Sequence, residues 1–167
     1  TEFIDCPEKF ACVSPYSTWE TRRTSMFKFV ELLNNKRGNF EQVLLVGGPG
    51  SDEIEYNKKV QDLLMRQNFD VVNLTGATSL QKLSYIISNS SIYLGNDSGP
   101  THIAMISCDC VYLFDGCVPG ETRVPKNSNL RRKITFLNKS KNCSHFPCYD
   151  GLTEPICKNH IKHQCMQ

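Results

Sequence analysis

The run Ser91-Ile-Tyr-Leu-Gly-Asn-Asp-Ser-Gly-Pro-Thr-His-Ile-Ala104 holds the residues whose types and spacing best suit chemistry. Ile92, Tyr93 and Leu94 read as a short buried strand and Gly95-Asn96 as its break. Asp97 or Ser98 then reads as the N-cap of a helix with Pro100 in its first turn. A strand feeding a helix in this way makes an anion site. The first helical N–H groups have no intrahelical acceptor and lie at the positive end of the helix dipole, so a phosphate can be held there without a cationic side chain. Gly99 would let it approach the backbone. Taken alone, Asp-Ser-Gly-Pro is explained at least as well by a plain helix start. Asp97 is itself negative, so it reads as an orienting cap that holds the loop through backbone N–H groups, not as a phosphate ligand. His102, one turn into the helix, either packs or faces ligand.

The elements that must position this stretch follow from the apolar pattern. Phe10-Ala-Cys-Val-Ser14 is a short strand, Pro15 to Thr21 a hydroxyl-rich turn, and Arg22-Arg23 precede a helix whose Met26, Phe29, Val30 and Leu33 share one face. Gly38 is placed to cap it. Gln42-Val-Leu-Leu-Val-Gly47 is an uninterrupted apolar strand, as in parallel sheets buried on both faces, and Ser51-Asp-Glu53 opens a second helix carrying Tyr56, Val60, Leu63 and Leu64. Asp70-Val-Val-Asn-Leu74 is a third strand. Ser79 caps a helix in which Leu80, Leu83 and Ile87 face inward. Cys110 to Phe114 is a fifth strand, and Ile134 to Leu137 fits an edge strand. Strand and helix alternating five times predict an α/β doubly wound parallel sheet with right-handed crossovers. Ligands of such sheets bind beyond the carboxyl ends of the strands, at the switch in strand order. The loops to watch are therefore Pro15 to Arg23, Gly47 to Glu53, Thr75 to Ser79, Gly95 to His102 and Asp115 to Pro125. They hold no Gly-x-Gly-x-x-Gly fingerprint and no Gly-Lys-Ser/Thr, which disfavours hydride transfer to NAD and P-loop hydrolysis.

Composition bounds the rest. At 167 residues the chain fits one domain, 1–138, with a cysteine-rich appendage, 139–167. No apolar run approaches the roughly 18 residues that cross a bilayer, so at most a peripheral membrane contact is expected. A formal charge of +2 is too small to argue for nucleic acid despite the basic spots at Arg22-Arg23 and Arg131-Arg132-Lys133. The chain opens Thr-Glu-Phe-Ile-Asp, without Met, and reads as a continuation of a longer protein. Nine cysteines leave at least one unpaired, which fits a reducing compartment.

Val43-Leu-Leu-Val-Gly-Gly-Pro, Asn73-Leu-Thr-Gly-x-Thr-Ser-Leu80 and Gly95-Asn-Asp-Ser-Gly-Pro-Thr-His-Ile-Ala104, three motifs in register, together resemble the C-terminal half of the ADP-heptose:lipopolysaccharide heptosyltransferases, glycosyltransferase family nine. The likeness covers roughly residues 9–137. It implies the Rossmann-like, donor-binding half of a two-domain GT-B enzyme. That enzyme would transfer a heptose with inversion from an ADP-heptose-like nucleotide sugar to a lipopolysaccharide core or related glycan acceptor. No metal would be needed for catalysis, and the site of action would be the cytoplasm, at the cytoplasmic face of the inner membrane. The catalytic base would belong to a missing N-terminal domain. On this footing Asp97, Ser98, Gly99, Pro100 and Thr101 form the pyrophosphate cradle, with His102 beside it. Ser17 and Thr18 donate hydroxyl hydrogen bonds, and Arg22 or Arg23 neutralises charge growing on the leaving diphosphate. Asp52 or Glu53 accepts from the ribose hydroxyls, although both also serve as ordinary first-turn acids. Where the family usually continues Leu-Phe-Gly-Pro-Thr, this chain has Leu113-Phe-Asp-Gly-Cys117, which bears on the sugar.

The tail carries Cys143, Cys148, Cys157 and Cys165 with His145, His160 and His163 interspersed. These suit a structural zinc or iron, one or two disulfides, or reduced structural thiols. Two rivals stand beside the main reading: another GT-B enzyme with a different donor, and a non-catalytic nucleotide-sugar-binding or cysteine-metal interaction module.

Overall fold

The computed structural model describes residues 6–124, 129, 133–137, 143–149 and 155–158. Five strand-to-helix or strand-to-loop units follow one another: β1 (Phe10–Ser14), α1 (Met26–Asn35), β2 (Gln42–Leu45), α2 (Ser51–Arg66), β3 (Asp70–Asn73), α3 (Leu80–Asn89), β4 (Ile92–Asn96), α4 (Gly99–Ser107) and β5 (Val111–Phe114). A sixth strand, β6 (Ile134–Phe136), closes the described sheet. The strands run in the order β3-β2-β1-β4-β5-β6, all parallel. The order therefore turns back between β1 and β4, which pair in the register Ala11↔Ile92 to Ser14↔Gly95.

Each face of the sheet is covered because alternate strand residues point to opposite sides. Val13, Leu45 and Leu94 point to one side, where Phe29 and Leu33 of α1 and Val60 and Leu64 of α2 bury them. Cys12, Leu44, Tyr93 and Leu113 point to the other, beneath Ile86 and Ile87 of α3 and Ala104 and Met105 of α4. Burial of each such side chain contributes about 1.5–3 kcal/mol. This doubly covered sheet is the rigid base on which the loops after β1, β2, β4 and β5 stand.

Several local expectations are corrected. Helix α1 is capped at Lys36, and Gly38 lies in the next turn, Arg37–Asn39, so it is not the C-cap. Leu80 is exposed at the start of α3; Leu83, Ile86 and Ile87, spaced i, i+3 and i+4, make the inward face instead. β3 alternates between exposed and half-buried residues, because an edge strand lacks the second neighbour and full cover of a central one. β4 runs through Gly95 and Asn96 instead of breaking there. Ser98 is the N-cap of α4, with Pro100 in the first turn, and Ser79 caps α3 by accepting from the Lys82 N–H.

Candidate functional site

The switch in strand order is tied together by one buried amide. Asn96, the last residue of β4, donates from Nδ2 to the Pro15 carbonyl at 2.6 Å and accepts at Oδ1 from the Thr24 N–H at 3.1 Å. Pro15 and Thr24 bracket the loop after β1, so Asn96 spans both ends of it. Its own carbonyl accepts from the Thr101 hydroxyl at 2.5 Å, and that hydroxyl also meets the Tyr93 hydroxyl at 3.0 Å. Thr101 is fully buried and its N–H goes to the Ser98 carbonyl. Thr101 thus braces the cradle from beneath; its side chain is not on the open side with Ser98 and Gly99. At Gly99 a Cβ would meet open space, so the backbone there is approachable.

Asp97 follows. It is 3% exposed, and its Oδ2 is shared by two guanidinium groups, Arg123 Nη2 at 3.0 Å and Arg22 Nε at 3.5 Å. His102 Nε2 lies 3.6 Å from Oδ1. The carboxylate holds the loop, as an orienting residue would, through arginine side chains and not through backbone N–H groups. Asp97 lies one residue before the N-cap Ser98, outside the helix, and two loops deliver cations to it. The loop after β5 adds the third wall. Its Gly116 packs against the backbone of Thr21 and Arg22, where a Cβ would lie 2.7 Å from Arg22 Cα, and its Asp115 accepts from the Gly120 N–H at 2.6 Å.

The two neighbouring arginines point in different directions. Arg22 ends a short turn, Glu20–Arg22, and stands over Trp19 at 4.2 Å and Tyr149 at 5.4 Å, its plane held by aromatic faces. Arg23 leaves on the other side. It donates to the Ser17 carbonyl at 2.8 Å and the Thr18 carbonyl at 3.2 Å, and stacks over Tyr16 at 4.3 Å. Neither arginine is in the first turn of α1, which begins at Met26. Ser17 is buried, whereas Thr18 is exposed. Thr18, Arg23 and Asp52 line a cleft of about 730 Å³ between this loop and α2, beside the Asp97 cluster and not over it. Tyr56 borders the same cleft and donates to the Thr24 carbonyl at 3.1 Å; burial pushes its hydroxyl up to about 12.

Of the two acids at the start of α2, the structure separates their surroundings. Asp52 is exposed. Glu53 is half-buried and turns back over the loop after β2, where a Cβ at Gly47 would come within 2.9 Å of its Cδ. Burial raises its carboxyl above the usual range, opposed by a hydrogen bond from the Gly48 backbone. Gly76, at φ 75°, brings the loop after β3 against Pro49, donating its N–H to the Gly47 carbonyl at 3.0 Å.

Cys165, His160 and His163 lie outside the described residues. Among the described residues no three His, Cys, Asp or Glu side chains gather as a metal-holding group. Cys148 instead lies along the loop after β5, its N–H donating to the Cys117 carbonyl at 3.1 Å, and the next residue, Tyr149, meets Trp19 edge-on at 5.3 Å. Cys157 borders the cleft beside α2. The described cysteines Cys143, Cys148 and Cys157 do not by themselves gather as a metal-holding group, and Cys165, the fourth of the expected set, lies outside the described residues. Sequence reasoning also missed Arg123, although its loop was singled out, and treated Asn96 only as a break. Nothing in the tail's spacing points to Tyr149.

The sequence matches the family model of glycosyltransferase family 9 (heptosyltransferase) over residues 1–145. It is 30% identical over 103 residues to the lipopolysaccharide core heptosyltransferase OpsX of Haemophilus influenzae, which covers 62% of this chain and 29% of that protein. Among solved structures the fold is similar to E. coli ADP-heptose lipopolysaccharide heptosyltransferase II, with TM-score 0.63 and 19% identity over 78% of this chain and 38% of the other. It is also similar to the dodecameric iron-containing heptosyltransferase TibC in complex with ADP-D-β-D-heptose, with TM-score 0.64 and 15% identity over 98% of this chain and 42% of the other. The chain spans under a third of the length of the curated relatives it matches.

Proposed function

Because the chain belongs to glycosyltransferase family 9, we propose that it is the donor-binding domain of an inverting heptosyltransferase-type enzyme. The donor is a nucleoside-diphosphate heptose such as ADP-heptose, and the acceptor is a hydroxyl of a lipopolysaccharide core or related glycan. The observation that carries this reading is the placement of Arg22 at the open N-terminal end of α4, 3.5 Å from the buried Asp97. In the reaction the bond from the sugar's anomeric carbon to the diphosphate oxygen breaks while the acceptor hydroxyl oxygen bonds to that carbon. The acceptor's proton goes to a base in the domain that precedes this one. Negative charge grows on the departing diphosphate, and fixed cations aimed at that charge lower the barrier. Arg22 and the backbone at Ser98 and Gly99 supply that field, with His102 at its edge. Arg23 positions the Ser17–Thr18 segment by holding its two carbonyls, and Glu53 accepts from the ribose. The work is done in the cytoplasm with at most peripheral contact with the inner membrane; among the described residues no helix is long and apolar enough to cross one.

The test is calorimetric titration of the chain with ADP, UDP, GDP and ADP-heptose, repeated with Arg22→Ala, Arg23→Ala and Ser98→Ala. A hydrogen bond to a charged group contributes about 1.5–3 kcal/mol. ADP binding should therefore fall roughly 10- to 150-fold in Arg22→Ala, and less in Arg23→Ala. No nucleotide binding at millimolar concentration would overturn the reading. We propose also that the four tail cysteines hold a structural iron or zinc. The support is their number and the iron named for one fold neighbour. Metal analysis of the purified chain, with Cys165→Ser as comparison, decides between one ion per chain and none.

A further inference from the structure

Asp97 is a buried carboxylate that serves two arginines on a single oxygen. Two guanidiniums against one carboxylate give the Arg22–Asp97–Arg123 group one positive charge in excess. Three of its buried polar atoms have no hydrogen-bond partner: Asp97 Oδ1, Arg22 Nε and Arg123 Nε. Arg22 lies against the Trp19 and Tyr149 rings, 4.2 and 5.4 Å from their centroids, which restrains its guanidinium plane. Arg123 is under no such constraint in the described contacts. It gives Asp97 one N–H of the five it carries, and although its Nε is buried the side chain is 27% exposed, which leaves spare donors at the guanidinium end for an incoming anion. It also comes from a different loop, the short turn Gly120–Arg123 after β5. A planar fork with spare donors, held beside a helix N-terminus by a carboxylate, matches the geometry of phosphate oxygens.

We propose that Arg123 is a second guanidinium for the donor's diphosphate, contacting the phosphate nearer the sugar while Asp97 keeps it aimed. This rests on the donor-binding reading above and adds to it a residue that Arg22 cannot replace. A contact to the distal phosphate has a consequence that mere bracing of the loop lacks: it discriminates between nucleoside diphosphate and monophosphate. Arg123 would also take part of the charge that develops on the leaving group, as a positioning residue for the diphosphate in the ground state and an electrostatic one during departure.

The experiment is calorimetric titration of the chain with ADP and with AMP, for wild type, Arg123→Gln and Arg123→Lys, with thermal melting of each. Arg123→Gln should weaken ADP about 10-fold or more and leave AMP within about 2-fold, and Arg123→Lys should recover part of the ADP affinity. Equal loss of ADP and AMP, or no loss of either, overturns the proposal while leaving the donor reading intact. If wild type binds neither nucleotide, the donor reading fails and this proposal falls with it. Should the variants fail to fold, wild-type protein treated with phenylglyoxal gives the same answer: ADP should protect Arg123 from modification and AMP should not, and equal modification with both refutes it.

Discussion

Asn96→Ala is the perturbation that most directly tests how the site is assembled. The amide is fully buried and joins the Pro15 carbonyl to the Thr24 N–H across the switch in strand order. Both of those residues are themselves buried, so water cannot take the place of the lost side chain without opening the loop. A buried backbone group left without its partner costs about 1–3 kcal/mol. Two such groups therefore predict a loss of about 2–6 kcal/mol. For a chain of this size each kcal/mol lowers Tm by about 2–4 °C, so the expected fall is about 4–24 °C. Asn96→Asp keeps an acceptor for Thr24 but faces the Pro15 carbonyl with a second oxygen, so it should be no more stable than the alanine variant. The assay is thermal unfolding followed by circular dichroism, with urea unfolding as a second measure. ADP titration at a temperature where the variant is still folded reports the site, and a loss of 10-fold or more is expected, because the loop that Asn96 fastens carries Arg22. A melting temperature within 2 °C of wild type would refute the reasoning, since the loop would then be held by something other than this amide.

Two other perturbations separate packing from chemistry. Gly116→Ala places a methyl group 2.7 Å from the Arg22 Cα, a backbone atom that must shift. Overpacking of this kind costs about 1–3 kcal/mol, and ADP binding should weaken with the displacement of Arg22; unchanged binding by calorimetry would count against that loop's part in the site. Gly47→Ala and Glu53→Gln probe the ribose contact. At Gly47 the added methyl displaces the end of the Glu53 side chain and comes within 3.0 Å of the buried Asn57 Nδ2, so some stability should be lost and preference for ADP over 2′-deoxy-ADP reduced, whereas Glu53→Gln should reduce that preference without the steric cost. The raised carboxyl of Glu53 also sets a pH trend. The folded chain holds that proton to higher pH than the unfolded chain, so this group's contribution to stability falls as pH rises from the ordinary glutamate range through the raised folded value. Urea unfolding between pH 4 and 7 should show that fall diminished in Glu53→Gln.

The architecture was legible in the sequence because it rests on local periodicity. Uninterrupted apolar strands such as Val43 to Val46, each followed by a glycine- or hydroxyl-rich loop and an amphipathic helix, leave a doubly covered parallel sheet as the simplest way to bury both faces. The carboxyl-end loops could be singled out on the same grounds, and three of them, those after β1, β4 and β5, meet at Asp97. Leu80 was misplaced because helical spacing says which residues share a face, but not where along the helix the contact with the sheet ends.

The wiring between loops was not legible, because it depends on contacts between residues far apart in the chain. Arg22 and Arg23 are adjacent and chemically identical in sequence. One is drawn to a buried carboxylate and two aromatic faces, and the other to the carbonyls of its own loop. Asn96 and Arg123 carry no local signal that separates them from any turn amide or surface arginine; their partners lie 81 and 26 residues away. Likewise the tail's cysteine spacing left a metal site, disulfides and reduced thiols open, and nothing in it says that Cys148 lies along the loop after β5 or that Cys157 borders the cleft beside α2. The sequence by itself determined the strands, the helices and the turns that can receive an anion, since these follow from each residue's immediate neighbours. Only the tertiary structure decided which charged side chains face that anion, because the pairing of β1 with β4 brings together segments about 80 residues apart and leaves Asp97 to be neutralised by whatever cations the neighbouring loops deliver.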